Sequence, residues 1–123
     1  MRQKLRRILL IAIWLGYPHG AFAHAMLVKA VPAVGGTVAA APSQIRITFS
    51  EAVEPRFSGI AIEGADGRAV ATEPASLDAT DHATLVVLLK ERLQAGRYKV
   101  IWHAVSVDTH RTQGSFPFEV KPQ

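Results

Sequence analysis

Three residues, two near the end of the chain and one far from them, carry donor atoms suited to one metal ion: Asp108, His110 and His24. In the segment SVDTHRTQG, Asp108 and His110 stand two apart, so in extended backbone their side chains leave the same face and converge. His24 offers more if the chain is cut in front of it. A free α-amine has a pKa of about 8, so a modest proton-competition cost frees it, and the imidazole of the same residue closes a chelate ring. With His110 that makes three nitrogens, and Asp108 adds a carboxylate. A nitrogen-rich tetragonal set of this kind suits Cu(II) better than Zn(II), Mg(II) or Ca(II), and the Irving–Williams order adds affinity. The chain has no cysteine, which excludes thiolate metal sites and disulfides.

The cut is written into the first 23 residues. Arg2, Lys4, Arg6 and Arg7 precede an apolar run over 8–15 that is too short to span a bilayer. Gly16, Pro18 and Gly20 follow, and then Ala21-Phe22-Ala23. This is a charged n-region, an apolar h-region and an A-x-A cleavage site, which predicts export and a mature chain of residues 24–123. The Arg6-Arg7 pair lacks the flanks of a twin-arginine signal, so the general secretory route is expected. Ala23-His24-Ala25 is itself A-x-A, and a cut after Ala25 would discard His24. The cut after Ala23 is favoured because it keeps the c-region after Pro18 shorter.

Cleavage also changes the charge argument. The full chain has 14 Lys and Arg against 10 Asp and Glu, a formal net charge of +4. Four of those cations leave with the first 23 residues, so the mature chain is formally neutral. Its charge therefore supports no nucleic-acid or anionic-membrane partner. What remains is long enough for one core.

The donors must be positioned by strands, because no stretch after residue 23 holds a helical period. QIRITFSE alternates Ile45, Ile47 and Phe49 with polar residues, the period of a strand with one buried face. HAMLVKAV, GIAIE, ATLVVLL, RYKVIWHAV and GSFPFEV extend the series. PAVGG, Asp66-Gly67, PASLDATD and QAG separate them as turns. Short strands so punctuated predict an all-β fold, an immunoglobulin-like antiparallel sandwich or a Greek-key β-barrel. Pro117 inside the last strand predicts an edge position or a bulge. The expected core is Ile45, Ile47, Phe49, Leu85, Val87, Tyr98, Val100, Trp102, Phe116 and Phe118.

The segments HAMLVKAVPAVGGTV, ITFSEAVEPRFSGI and AGRYKVIWHAVSVDTHRTQGSFPFEV together resemble, in order, the CopC family of periplasmic copper-binding proteins. The resemblance implies a small Greek-key barrel or sandwich and one Cu(II) per chain. It implies His24, Asp108 and His110 as ligands, with Glu51 of the F-S-E motif beside the ion. It also implies a periplasmic role in copper resistance or homeostasis, and delivery to a CopD-type inner-membrane partner. Some family members carry a second Cu(I) site in a methionine-rich loop. Here the corresponding stretch, IEGADGRAVATEPASL, has no methionine, so a single-site Cu(II) protein is expected, acting as a monomer.

The remaining polar residues have plainer readings. His82, near Asp78 and Asp81, reads as a turn residue. His103 is placed to orient Glu51 or Asp108, and Arg111 and Thr112 either hold the outer oxygens of Asp108 or are simply solvated. The leading expectation is a non-catalytic copper carrier, since a carboxylate that fills a coordination position opposes turnover. A histidine-brace copper oxidoreductase, similar to polysaccharide monooxygenases, is the alternative from another class. It would need a broad substrate face, which 100 residues scarcely provide. A metal-free immunoglobulin-like interaction module is the third.

Overall fold

The computed structural model describes residues 24–123; the segment expected to be a signal lies outside them. Eight strands follow one another: β1 (Leu27–Val31), β2 (Thr37–Val38), β3 (Gln44–Phe49), β4 (Gly59–Gly64), β5 (Ser76–Asp78), β6 (Asp81–Leu88), β7 (Gly96–Val105) and β8 (Arg111–Val120). Alternation dictates which face each strand buries. In β3, Ile45, Ile47 and Phe49 point inward and are almost fully buried. In β7, Val100, Trp102 and Ala104 do the same.

The strands form two sheets, β1-β3-β6-β5 and β2-β8-β7-β4. All pairings are antiparallel except β2 with β8. Lettered in chain order with β2 as a short extra strand, this is the ABED and CFG arrangement of an immunoglobulin-like sandwich. The two inner faces interleave. Phe49 of the first sheet meets Trp102 of the second edge-on at 5.2 Å between ring centroids, while within the second sheet Tyr98 stacks on its strand neighbour Phe118 at 5.4 Å. The Tyr98 hydroxyl donates to the Gln94 carbonyl at 2.7 Å, closing a tyrosine corner at the entry to β7. Nine of the ten expected core residues are buried, while Tyr98 packs half-buried at the rim. Ile60, Ile62, Val53 and Val120 join them.

One departure from the sequence-based expectation, and the choice between two alternatives at Pro117, have simple causes. The stretch read as the turn PASLDATD contains β5, whose three residues are too few to show a period. For Pro117 the edge position holds and the bulge does not, because the β7–β8 register runs unbroken from Gly96↔Val120 to Val105↔Arg111 and β2 pairs only with Glu119 and Val120. The Pro117 N and carbonyl face away from β7, just beyond the two residues of β8 that pair with β2. The missing N–H therefore costs no ladder bond, and the carbonyl accepts the Gly35 N–H at 2.8 Å.

Two glycines are dictated by close approach across the second sheet. A Cβ on Gly114 would lie 2.7 Å from Trp102 Cζ2, and one on Gly59 would lie 2.7 Å from His103 Cε1. In the first sheet, the Arg46 guanidinium pairs with the Asp78 carboxylate and so ties β3 to β5. That hydrogen bond, followed by the N–H and hydroxyl of Thr80, holds the Asp78 carboxyl far below the usual carboxylate range. A carboxyl with a depressed folded pKa contributes stability that is complete above its unfolded pKa, near 4, and is lost as pH falls below it. The urea midpoint is therefore expected to fall between pH 5 and pH 2, and Asp78→Asn to lose less over that interval. Equal losses in the two proteins would show that Asp78 has no part in acid unfolding.

Candidate metal centre

The segment entering β1 is fastened to both sheets. The Ser50 hydroxyl donates to the His24 carbonyl at 3.0 Å and accepts the Met26 N–H at 2.9 Å. The Ser50 N–H returns to the Met26 carbonyl at 2.8 Å. From the other sheet, the Thr112 hydroxyl donates to the Ala25 carbonyl at 2.7 Å. Ala25 between them is fully buried. The backbone is thus pinned at three consecutive residues, and the exposed His24 side chain starts from a fixed point.

Asp108 and His110 sit on the connection between β7 and β8, and here the structure corrects the expectation of extended backbone. Residues 107–109 form a turn, with Thr109 at φ 74°. The Thr109 N–H donates to the Ser106 carbonyl at 2.8 Å, and the Ser106 N–H to the His110 carbonyl at 2.9 Å. The side chains still meet: Asp108 Oδ1 lies 3.3 Å from His110 Nδ1. A β-branched residue in the left-handed region costs on the order of 1–3 kcal/mol and persists where its surroundings over-determine it, often at functional sites. Thr109→Gly is expected to raise the free energy of unfolding by about 1 kcal/mol, the relieved strain less the added chain entropy. A drop in a urea titration would show that no such strain is stored there.

Ser106 is the hub of this turn and is fully buried. Its hydroxyl donates to Asp108 Oδ1. That bond comes first in holding the Asp108 carboxyl below its ordinary range, against the opposing effect of burial, with the His110 N–H assisting. Asp108 is therefore an anion at neutral pH. Ser106 also bridges to Val53, and the Val107 N–H reaches the Ala52 carbonyl at 3.2 Å. The stretch 50–53 thus runs between the β1 entry and the 106–110 turn.

His24 and His110, 86 positions apart, come together with ring centroids 4.9 Å apart and planes at 86°. The structure therefore draws His24, His110 and Asp108 into a row. Glu51 adjoins it through the backbone, one residue beyond Ser50. Its Oε1 is buried with no hydrogen-bond partner among the described residues. A buried, unmet carboxylate oxygen is costly, and a nearby cation relieves that cost. As the side chains stand, no three imidazole or carboxylate groups among the described residues close on one point. The donor chemistry fits a cupric ion: two imidazoles, an amine once the chain is cut, and anionic oxygens to offset charge.

Other expectations for polar residues are revised. Thr112 holds Ala25 rather than Asp108, and the Asp108 oxygen is held by Ser106. The His103 ring covers Gly59, and its charged neighbour is Arg111. Burial foremost, and then that cation, lower its pKa and keep it neutral. His82 lies within β6 rather than in a turn, and its carbonyl accepts the Val53 N–H at 3.2 Å. Sequence reasoning missed the roles of Ser50 and Ser106 and gave Thr112 the wrong partner. Ser50 had a signal, standing between Phe49 and Glu51 in the F-S-E motif.

The family model described as CopC domain matches residues 27–121. Protein YobA of Escherichia coli K12 is 44% identical over 100 residues, covering 81% of each chain. Copper resistance protein C of Pseudomonas syringae pv. tomato is 41% identical over 104 residues, covering 80% of this chain and 82% of that one. The crystal structure of CopC from Methylosinus trichosporium OB3b superposes with a TM-score of 0.75 at 33% identity, covering 81% of this chain and 96% of that one.

Proposed function

The chain belongs to the CopC family, and from that premise we propose that it binds one Cu(II) ion and sequesters it or carries it for copper resistance or homeostasis. The observation that supports this most is the approach of His24 and His110 to 4.9 Å at one end of the sandwich. In this reading copper is cargo. The His24 amine and imidazole and the His110 imidazole are equatorial nitrogens. Asp108, kept anionic by Ser106, offsets the charge of the ion as ligand or close neighbour, and the buried Glu51 oxygen is available from the adjoining loop. Ser50 and Thr112 bind no metal; their bonds to 24–26 hold the chelate in register with the 106–110 turn.

The site of action is the periplasm, since the pattern over residues 1–23 predicts export and the cut that frees the His24 amine. The protein works as a non-catalytic carrier, and an inner-membrane copper transport protein of the CopD type is the receiver.

A titration of protein beginning at His24 against a competing Cu(II) chelator tests the reading. One equivalent is expected to bind, and His110→Ala is expected to weaken binding by more than about tenfold, since even an outer partner of a metal costs that much when lost. Absence of stoichiometric binding, or an unchanged affinity in His110→Ala, would refute it.

A further inference from the structure

We propose that Met26 supplies a thioether ligand to Cu(I) held at the His24–His110 pair, so that one end of the sandwich accepts both oxidation states of the ion. The inference rests on the copper reading above and extends it to the reduced ion.

Met26 is the one methionine among the described residues, and it serves no core, being 59% exposed. Burial alternates along the pinned segment: His24 exposed, Ala25 fully buried, Met26 exposed. Residues two apart in such a pattern leave the same face, with Cα atoms roughly 6.6 Å apart, within the combined reach of an imidazole and a thioether. The backbone under Met26 is fixed on both sides, its N–H on Ser50 Oγ at 2.9 Å and its carbonyl on the Ser50 N–H at 2.8 Å. The side chain keeps the adaptability of three rotatable bonds and a polarisable sulfur. Its neighbour on that face, His24, already meets His110 edge-on.

The donors available there divide by softness. Two imidazoles and a thioether suit Cu(I), whereas the amine and the carboxylates of Asp108 and Glu51 suit Cu(II). Met26 stands outside the carboxylate-bearing turn and adds nothing that a cupric ion requires. Its value is selective for the reduced ion, and it needs no methionine-rich loop.

Protein beginning at His24 and its Met26→Leu variant, which keeps the size of an exposed side chain, should be titrated anaerobically with Cu(I) added as its acetonitrile complex, against bicinchoninate as competitor. Cu(II) affinity is measured alongside, and X-ray absorption reports sulfur around the bound Cu(I). Met26→Leu is expected to lower Cu(I) affinity at least about tenfold, on the scale of losing a partner of a bound metal. It should erase the sulfur scattering and leave Cu(II) affinity unchanged. Unchanged Cu(I) affinity, or a Cu(I) spectrum without sulfur in the parent protein, would overturn the inference while leaving Cu(II) binding in place. A parent protein that binds no Cu(II) would overturn the copper reading, and this inference with it.

Discussion

Protein that keeps a single residue in front of His24 is expected to bind Cu(II) at least about a hundredfold more weakly than protein beginning at His24, exceeding the roughly 10–100-fold that loss of an outer metal partner costs. The extra residue turns the amine into an amide. That removes one nitrogen and the chelate ring it closes, and leaves an exposed imidazole that must order itself for a single bond. The fold gives the contrast its sharpness. Ser50 and Thr112 hold residues 24–26 through the carbonyls of His24 and Ala25 and the N–H of Met26. None of those bonds uses the amine, so the extended protein is expected to fold as well as the cut one. Competition titrations of the two forms, with unfolding curves beside them, measure this. Equal affinities would show that the amine takes no part.

Phe118→Ala is expected to cost about 3–5 kcal/mol, the range for deleting a buried aromatic side chain. Phe118 is almost fully buried on the inner face of β8, stacked on Tyr98. The cavity would open beneath the tyrosine corner, on a strand joined to both β7 and β2. Against a total of about 5–15 kcal/mol this is a large fraction, and for a domain of this size it lowers the melting temperature by roughly 12–40 °C. Copper should return part of the loss by mass action, because an ion that binds only the folded form adds about 2.7 kcal/mol at 100 times its Kd. That recovery should require the free amine at His24. Thermal unfolding of the variant with and without Cu(II) tests both statements, and a loss under about 1 kcal/mol would contradict the core described above.

Most of the sandwich was legible because its strands bury one face and therefore alternate. Ile45, Ile47 and Phe49 announce β3, and Val100 and Trp102 announce β7. The three-residue β5 and two-residue β2 are too short for any period to register. At the site, the residue types pointed to the right neighbours by a mistaken route. Asp108 and His110 meet through a turn with Thr109 in the left-handed region, not through extended backbone. A threonine gives no warning of that conformation, which is imposed by the Ser106 hydrogen bonds. The fastening of His24 was invisible for a different reason. Ser50 and Thr112 act on backbone carbonyls 26 and 87 positions away, and nothing in a local pattern reports a hydroxyl's distant partner.

The most direct test of the claim that His24 and His110 share one cupric ion is electron paramagnetic resonance, continuous-wave and pulsed, on protein beginning at His24 and loaded with one equivalent of Cu(II). Three equatorial nitrogens are predicted, two of them imidazole, and His110→Ala should leave the modulation of a single imidazole. An oxygen-dominated spectrum, or one that His110→Ala does not alter, would contradict it.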